Sequence, residues 1–250
     1  MQRFVVLAHP RSGSTLLIAG LEQHPELTVH NELLTTTEDE ASRRRLYSVA
    51  GRFLHDGGDE ADFLRHVYAA SAQSRATGFK LMHHHASRAG STVWDFFESD
   101  PELGVIHVYR DDALETLISE RVAQKTGIWN VVGDGPLPDE PPPFTIEPAE
   151  ARARFDELEA WRRQARRRFA PHPFLELEYR SDLVSDFGGS MARVFEFLGV
   201  PPVPVTEKLA RLRRLRPAEQ VANFAELAAA FAGSPYERFF ASAESSASRR

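Results

Sequence analysis

Five short apolar runs punctuate the chain, and helical patterns separate them. The first, Arg3 to Ala8 (RFVVLA), is too short and too β-branched to be a helix. Leu27 to His30, Thr77 to Met82, Gly104 to Tyr109 and Phe174 to Tyr179 read as strands in the same way. Between them, apolar residues recur at helical spacing from Thr15 (Leu16, Leu17, Leu21), over 38–56 and 59–74, Ser91 to Glu98, 111–125, Glu147 to Phe169, Ser185 to Leu198 and about 224–232. Gly199, Val200 and Pro201 supply a helix stop. Strands alternating with helices, and no internal repeat, predict a three-layer α/β fold. Its central parallel sheet has about five strands, with helices on both faces. Ligands in such sheets bind at the carboxyl ends of the strands.

Composition narrows this picture. A chain of 250 residues is enough for one α/β domain, and a single domain over 1–250 is expected. Residues 133–148 (GDGPLPDEPPPFTIEP) are acidic and Pro-rich, which excludes a regular element and predicts a lid-like or mobile loop. The tail over 242–250 is expected to be disordered. The chain has no cysteine, which excludes disulfides, thiolate metal sites and cysteine nucleophiles. A net charge of −6 gives no support to generic nucleic-acid binding. No apolar run approaches the ~18 residues of a membrane span. The N-terminal run feeds a strand rather than a cleavage site, so a cytoplasmic protein is expected.

The stretch after the first strand carries the chemistry. Laid on the phosphate-loop rule G-x-x-x-x-G-K-[ST], residues 8–15 keep Gly13 and Thr15 but put Ala8 at the first glycine and Ser14 at the lysine. A cation is still present at Arg11. Strand, tight turn and helix start aim backbone N–H groups at one point, which suits an anion. Gly13 permits close backbone approach. Ser12, Ser14 and Thr15 add N–H and hydroxyl donors. Thr15 also reads as a simple helix N-cap, and Arg11 as a salt-bridged surface residue.

Other strand ends bring further candidates. Glu32 follows the second strand, and on the residues alone it reads as a solvated strand-end carboxylate. Lys80 reads equally as an anion ligand or a snorkelling lysine. His83, His84 and His85, on an extended end, point alternately in opposite directions and so cannot share one metal ion. Arg110 follows a buried strand; its forked guanidinium suits a phosphate monoester, and the competing reading pairs it with Asp112. Trp129 is either a stacking surface or core. Trp161 to Phe169 (WRRQARRRF) reads as a solvated helix face, with attraction of an anionic partner as the second reading.

These motifs, in this order, resemble the PAPS-dependent sulfotransferases, most closely the bacterial carbohydrate branch of trehalose and Nod-factor type. HPRSGSTLL (9–17) resembles the 5′-phosphosulfate loop, and HPELTVHNELL (24–34) the segment with an acidic catalytic residue, here Glu32. GFKLMHHH (78–85) is similar to the family's third-strand end. VIHVYRDDALETLISERVAQKTGIW (105–129) resembles the 3′-phosphate segment, with Arg110 and Ser119 as its ligands. YRSDLVSDFGGSMARVFEFLGV (179–200) and PAEQVANFAELAAAFAGSPYERFF (217–240) are similar to the later regions.

The resemblance implies metal-independent, in-line transfer of a sulfonate from PAPS, leaving PAP, to a hydroxyl of a carbohydrate, glycolipid or related small molecule. Glu32 would be the general base, with a pKa raised by partial burial. Arg11 and Lys80 would act at the phosphosulfate, held by Ser12, Gly13, Ser14 and Thr15. Asp111 stands where close relatives carry a second cation. The Gly-rich loop that cytosolic animal members place on the 3′-phosphate is absent, and Arg214, in the basic patch Arg211 to Pro217, or its neighbours Arg213 and Arg216 are expected to substitute. The competing functions are a P-loop kinase, against which Ser14 counts, and a non-catalytic nucleotide binder of the same fold.

Overall fold

The structure, a computed structural model, describes residues 2–34, 59–70, 73–87, 90–131, 139–207 and 215–245. In chain order these form β1 (Gln2–Ala8), α1 (Ser14–Leu21), β2 (Leu27–His30), α2 (Glu60–Ala70), β3 (Ala76–Met82), α3 (His83–Ala86), α4 (Val93–Glu98), β4 (Gly104–Tyr109) and α5 (Ala113–Thr126). They continue with α6 (Pro148–Arg168), β5 (Phe174–Glu178), a π-helical turn (Tyr179–Val184), α7 (Phe187–Phe197), α8 (Pro217–Gln220), α9 (Phe224–Ala230) and α10 (Glu237–Ser245). The helix predicted over 38–56 lies outside the described residues.

The chain forms two compact units, Met1–Tyr109 with Gln164–Glu207, and Arg110–Arg163 with Lys208–Arg250. The first holds the sheet, in the order β2-β3-β1-β4-β5 with every pairing parallel. The three inner strands are nearly continuous apolar runs because both of their faces are covered. The edge strands β2 and β5 admit Thr28, His30, Glu176 and Glu178. Phe4 lies opposite Gly78 in register, and its ring covers the glycine so closely that a Cβ there would fall 2.4 Å from Phe4 Cδ2. The chain leaves β1 toward β3 and leaves β4 toward β5. The switch point therefore lies at the carboxyl ends of β1 and β4.

The second unit buries Leu114, Ile118, Phe155, Leu227, Phe231 and Phe239 around an aromatic cluster. Phe155 meets Phe231, Tyr236 and Phe239 at centroid distances of 5.2–5.3 Å. Asp112 caps α5 by accepting from Glu115 N at 2.9 Å, and Gly127 ends the helix at φ 70°.

Several expectations are corrected. The histidines after β3 form a helical turn rather than an extended end. The described part of the Pro-rich segment is fastened, not lid-like. Phe144 N donates to Gln220 O and Ala222 N to Phe144 O, while Asn223 donates to and accepts from the Ile146 backbone at 3.0 Å. Proline removes N–H donors, but the carbonyls and the remaining N–H groups still find partners. Helix α10 was not predicted, and it carries the chain past residue 242 to Ser245. The Arg-rich face of α6 is not a bare solvated face. Arg154 forks onto both oxygens of Glu120, and Arg162, Arg166 and Arg168 meet Asp111, Glu176 and Glu98.

Candidate functional site

In the first unit, β1 runs straight into a strained turn. Arg11 sits at φ 64°, a left-handed conformation uncommon for a residue with a Cβ. Gly13 follows at φ 91° as the N-cap of α1. Its Cα is walled by the π-helical turn: a Cβ would fall 2.4 Å from Tyr179 Cδ2 and 3.2 Å from Leu183 Cδ1. Leu16 N and Leu17 N donate to Gly13 O at 3.0 and 3.2 Å. Ser12 is fully buried, and its Oγ has no hydrogen-bond partner. A buried hydroxyl left over in a turn that opens a helix calls for an explanation, and a bound anion is the candidate. Ser14 is buried and Thr15 half-buried.

Lys80 brings loop and carboxylate together. It lies in β3 opposite Val6 of β1, and its side chain is 3% exposed. Its Nζ donates to Thr15 Oγ1 at 3.3 Å and contacts Glu32 Oε1 at 2.8 Å. The snorkelling alternative fails here, because the ammonium is buried against two partners. The second oxygen of Glu32 is 4.0 Å from His85 Nε2. A helical turn spaces neighbouring side chains about 100° apart, so His83 and His85 point to different partners, His107 and Glu32. His83 and His85 are buried and His84 is exposed. Among the described residues, no group of three or more His, Cys, Asp or Glu side chains is arranged to hold a metal ion.

Sequence reasoning did not find a second polar chain in this unit. His83 Nε2 lies 3.5 Å from His107 Nε2, His107 Nδ1 donates to Glu176 Oε1 at 3.0 Å, and Arg166 Nε donates to Glu176 Oε2 at 2.8 Å. Burial pushes the Glu176 carboxyl up, but the bonds from His107 and Arg166 outweigh it and leave the pKa at about 2. Burial, then the neighbouring His107 and His9, hold His83 well below the ordinary histidine range. The signal was present in the sequence: His107 is a polar residue in the middle of a buried strand.

In the second unit, Arg110 pairs with Glu115 at 2.9 Å, the two side chains being 11% and 12% exposed. The pairing with Asp112 weighed from the sequence is replaced, since Asp112 is committed to the helix cap. Ser119 lies four residues after Glu115 on α5, so the two share a helix face. Asp111 accepts from Arg162 and Arg238, with Arg238 first in holding its carboxyl below the usual range. Arg216 donates to Glu219 at 2.7 Å. Arg213 and Arg214 lie outside the described residues. Trp129 is exposed at 44%, which does not fit the core reading.

Comparison with known proteins places the chain in a family. The model of the Sulfotransferase family matches residues 3–204. Nodulation protein H of Rhizobium meliloti (strain 1021) is 30% identical over 96% of this chain and 95% of its own. Nodulation protein H of Rhizobium tropici is 29% identical over 95% of this chain and 92% of its own. A sulfotransferase from Alicyclobacillus acidocaldarius superposes with a TM-score of 0.56 at 14% identity, covering 100% of this chain and 97% of that one, which is a likeness of fold. With a parallel sheet, a lysine-free phosphate loop and a match over four-fifths of its length, the chain belongs to the sulfotransferase family.

Proposed function

We propose that the chain transfers a sulfonate from PAPS to a hydroxyl of a carbohydrate, glycolipid or related small molecule, with Glu32 as general base. Sulfonate transfer follows from the family; the donor, the acceptor class and the residue roles are the proposal. The observation that carries it is Lys80, whose buried ammonium touches both Thr15 of the phosphate loop and Glu32. One cation thereby ties the anion-holding turn to a carboxylate.

The residues present suit the donor. Ser12 Oγ is buried without a partner, and Gly13, at φ 91°, turns the chain into the N-terminus of α1. Arg11 to Thr15 would hold the phosphosulfate, and Arg110 and Ser119 the 3′-phosphate. Bound PAPS supplies the sulfonate. Arg11, Lys80 and the loop N–H groups stabilise charge gathering on the leaving oxygen. Lys80 contacts Glu32 Oε1, and the second oxygen, Oε2, takes the acceptor proton. No helix among the described residues is long and apolar enough to cross a membrane.

The test is ligand-dependent melting with PAP, using ATP–Mg²⁺ as control. Stabilisation by PAP near 2.7 kcal/mol at about a hundredfold excess over Kd is expected from linkage. An equal response to ATP–Mg²⁺, or none to PAP, sinks the donor assignment. Glu32→Gln keeps PAP binding and loses transfer; Arg110→Ala loses PAP affinity.

A further inference from the structure

We infer that His85 is the proton exit for Glu32, a positioning and relay residue acting through that carboxylate. The inference rests on the reading of Glu32 as base. A base that removes the acceptor proton must discharge it before the next turnover. Lys80 cannot receive it, because an ammonium has no lone pair. On the other side of the carboxylate, His85 Nε2 stands 4.0 Å from Oε2, and the imidazole is 7% exposed. Glu32 is 30% exposed in the free chain. The acceptor that delivers the proton has to come from that open side and covers it. The buried side, where His85 lies, is then the route that remains.

The α3 turn makes this possible. An extended chain would send His83 and His85 to the same face; the helical turn sends His83 toward His107 and His85 toward Glu32. Titratable groups facing His85 include Glu32 after β2 and His84 of its own turn, whose ring lies edge-on with centroids 4.3 Å apart, and Lys80 of β3 holds the other oxygen of Glu32. Histidine is the side chain whose ordinary titration spans neutrality, which suits a group that takes up and releases one proton per cycle.

The step balances. The acceptor O–H bond breaks and its proton moves to Glu32 Oε2. The acceptor oxygen bonds sulfur, and the bond from sulfur to the leaving phosphate oxygen breaks, with its electron pair staying on that oxygen. The proton then passes from Oε2 to His85 Nε2. This leaves imidazolium beside a restored carboxylate, and the proton leaves to solvent on product release.

Two measurements test it. In the first, the His85 imidazole is titrated by NMR in the unliganded chain and in Glu32→Gln. Loss of the carboxylate should lower the His85 midpoint, and an unchanged midpoint overturns the proposal without any acceptor. In the second, PAPS turnover with trehalose as probe acceptor is followed against pH for His85→Gln. The expected result is a fall in kcat of about tenfold or more, an altered acidic limb, and an unchanged KM for PAPS. Wild-type kcat and pH profile in His85→Gln, with turnover abolished in Glu32→Gln, defeat the relay alone. Turnover retained in Glu32→Gln defeats the base reading itself.

Discussion

Replacing Gly13 by alanine tests how the phosphate loop is held. Alanine at φ 91° occupies the left-handed region, which costs about 1–2 kcal/mol. The new methyl would also sit 2.4 Å from Tyr179 Cδ2, 3.0 Å from Cε2 and 3.2 Å from Leu183 Cδ1. Relieving that overlap means moving a ring packed by the π-helical turn, and overpacking of this kind costs about 1–3 kcal/mol. The two terms give about 2–5 kcal/mol, or about 4–20 °C in Tm for a chain of this size. Thermal melts of Gly13→Ala, Tyr179→Ala and the double variant separate the terms. Without the Tyr179 ring the steric part disappears and the conformational part stays, so the double variant should be less destabilised than the sum of the singles. A Gly13→Ala protein melting within about 2 °C of the parent, or a cycle with no coupling, refutes both the strain and the wall.

Three more outcomes follow. Glu176, lowered from 4.5 to about 2, contributes stability that is present above pH 4.5 and lost as pH falls toward 2; Glu176→Gln should remove about 2–3 kcal/mol of it and flatten acid denaturation over that window. His83, held well below 6.5, adds loss in the same direction below pH 6.5, at up to about 1.4 kcal/mol per pH unit, so the parent should already weaken between pH 6.5 and 5 in urea titrations. Asn223→Ala strips both bonds from the Ile146 backbone, with an expected loss of about 1–3 kcal/mol and faster proteolytic cleavage near 139–147; cleavage at the parent rate would show that the fastening is redundant.

All five strands were legible because apolar, β-branched runs bounded by turn residues leave little alternative. So was the order of the candidate residues, since each strand end precedes a polar group. What escaped was whatever needs a partner far away in sequence. Three identical histidines carry no periodicity, so the turn at His83–Ala86 was invisible. The π-helical turn depends on a bond from Ser185 N to Arg180 O, which no local pattern announces. His107 and Glu176 are 69 residues apart, and Glu32 and Lys80 meet only once β2 and β3 are paired. Arg162, Arg166 and Arg168 of α6 looked basic because their carboxylates lie on other elements.

The pairing of Arg110 with Glu115 bears on binding entropy. A loose arginine must give up about 2 kcal/mol of rotamer freedom when it grips a ligand. Here the side chain, 11% exposed, is already confined at folding by its own carboxylate. An arriving phosphate would therefore meet a guanidinium with little freedom left to lose. The opposing effect is local competition, because Glu115 stays within reach of the same fork. Affinity for the proposed 3′-phosphate would then be a contest between two acceptors for one oriented donor, and shortening Glu115 to aspartate would shift it toward the incoming anion.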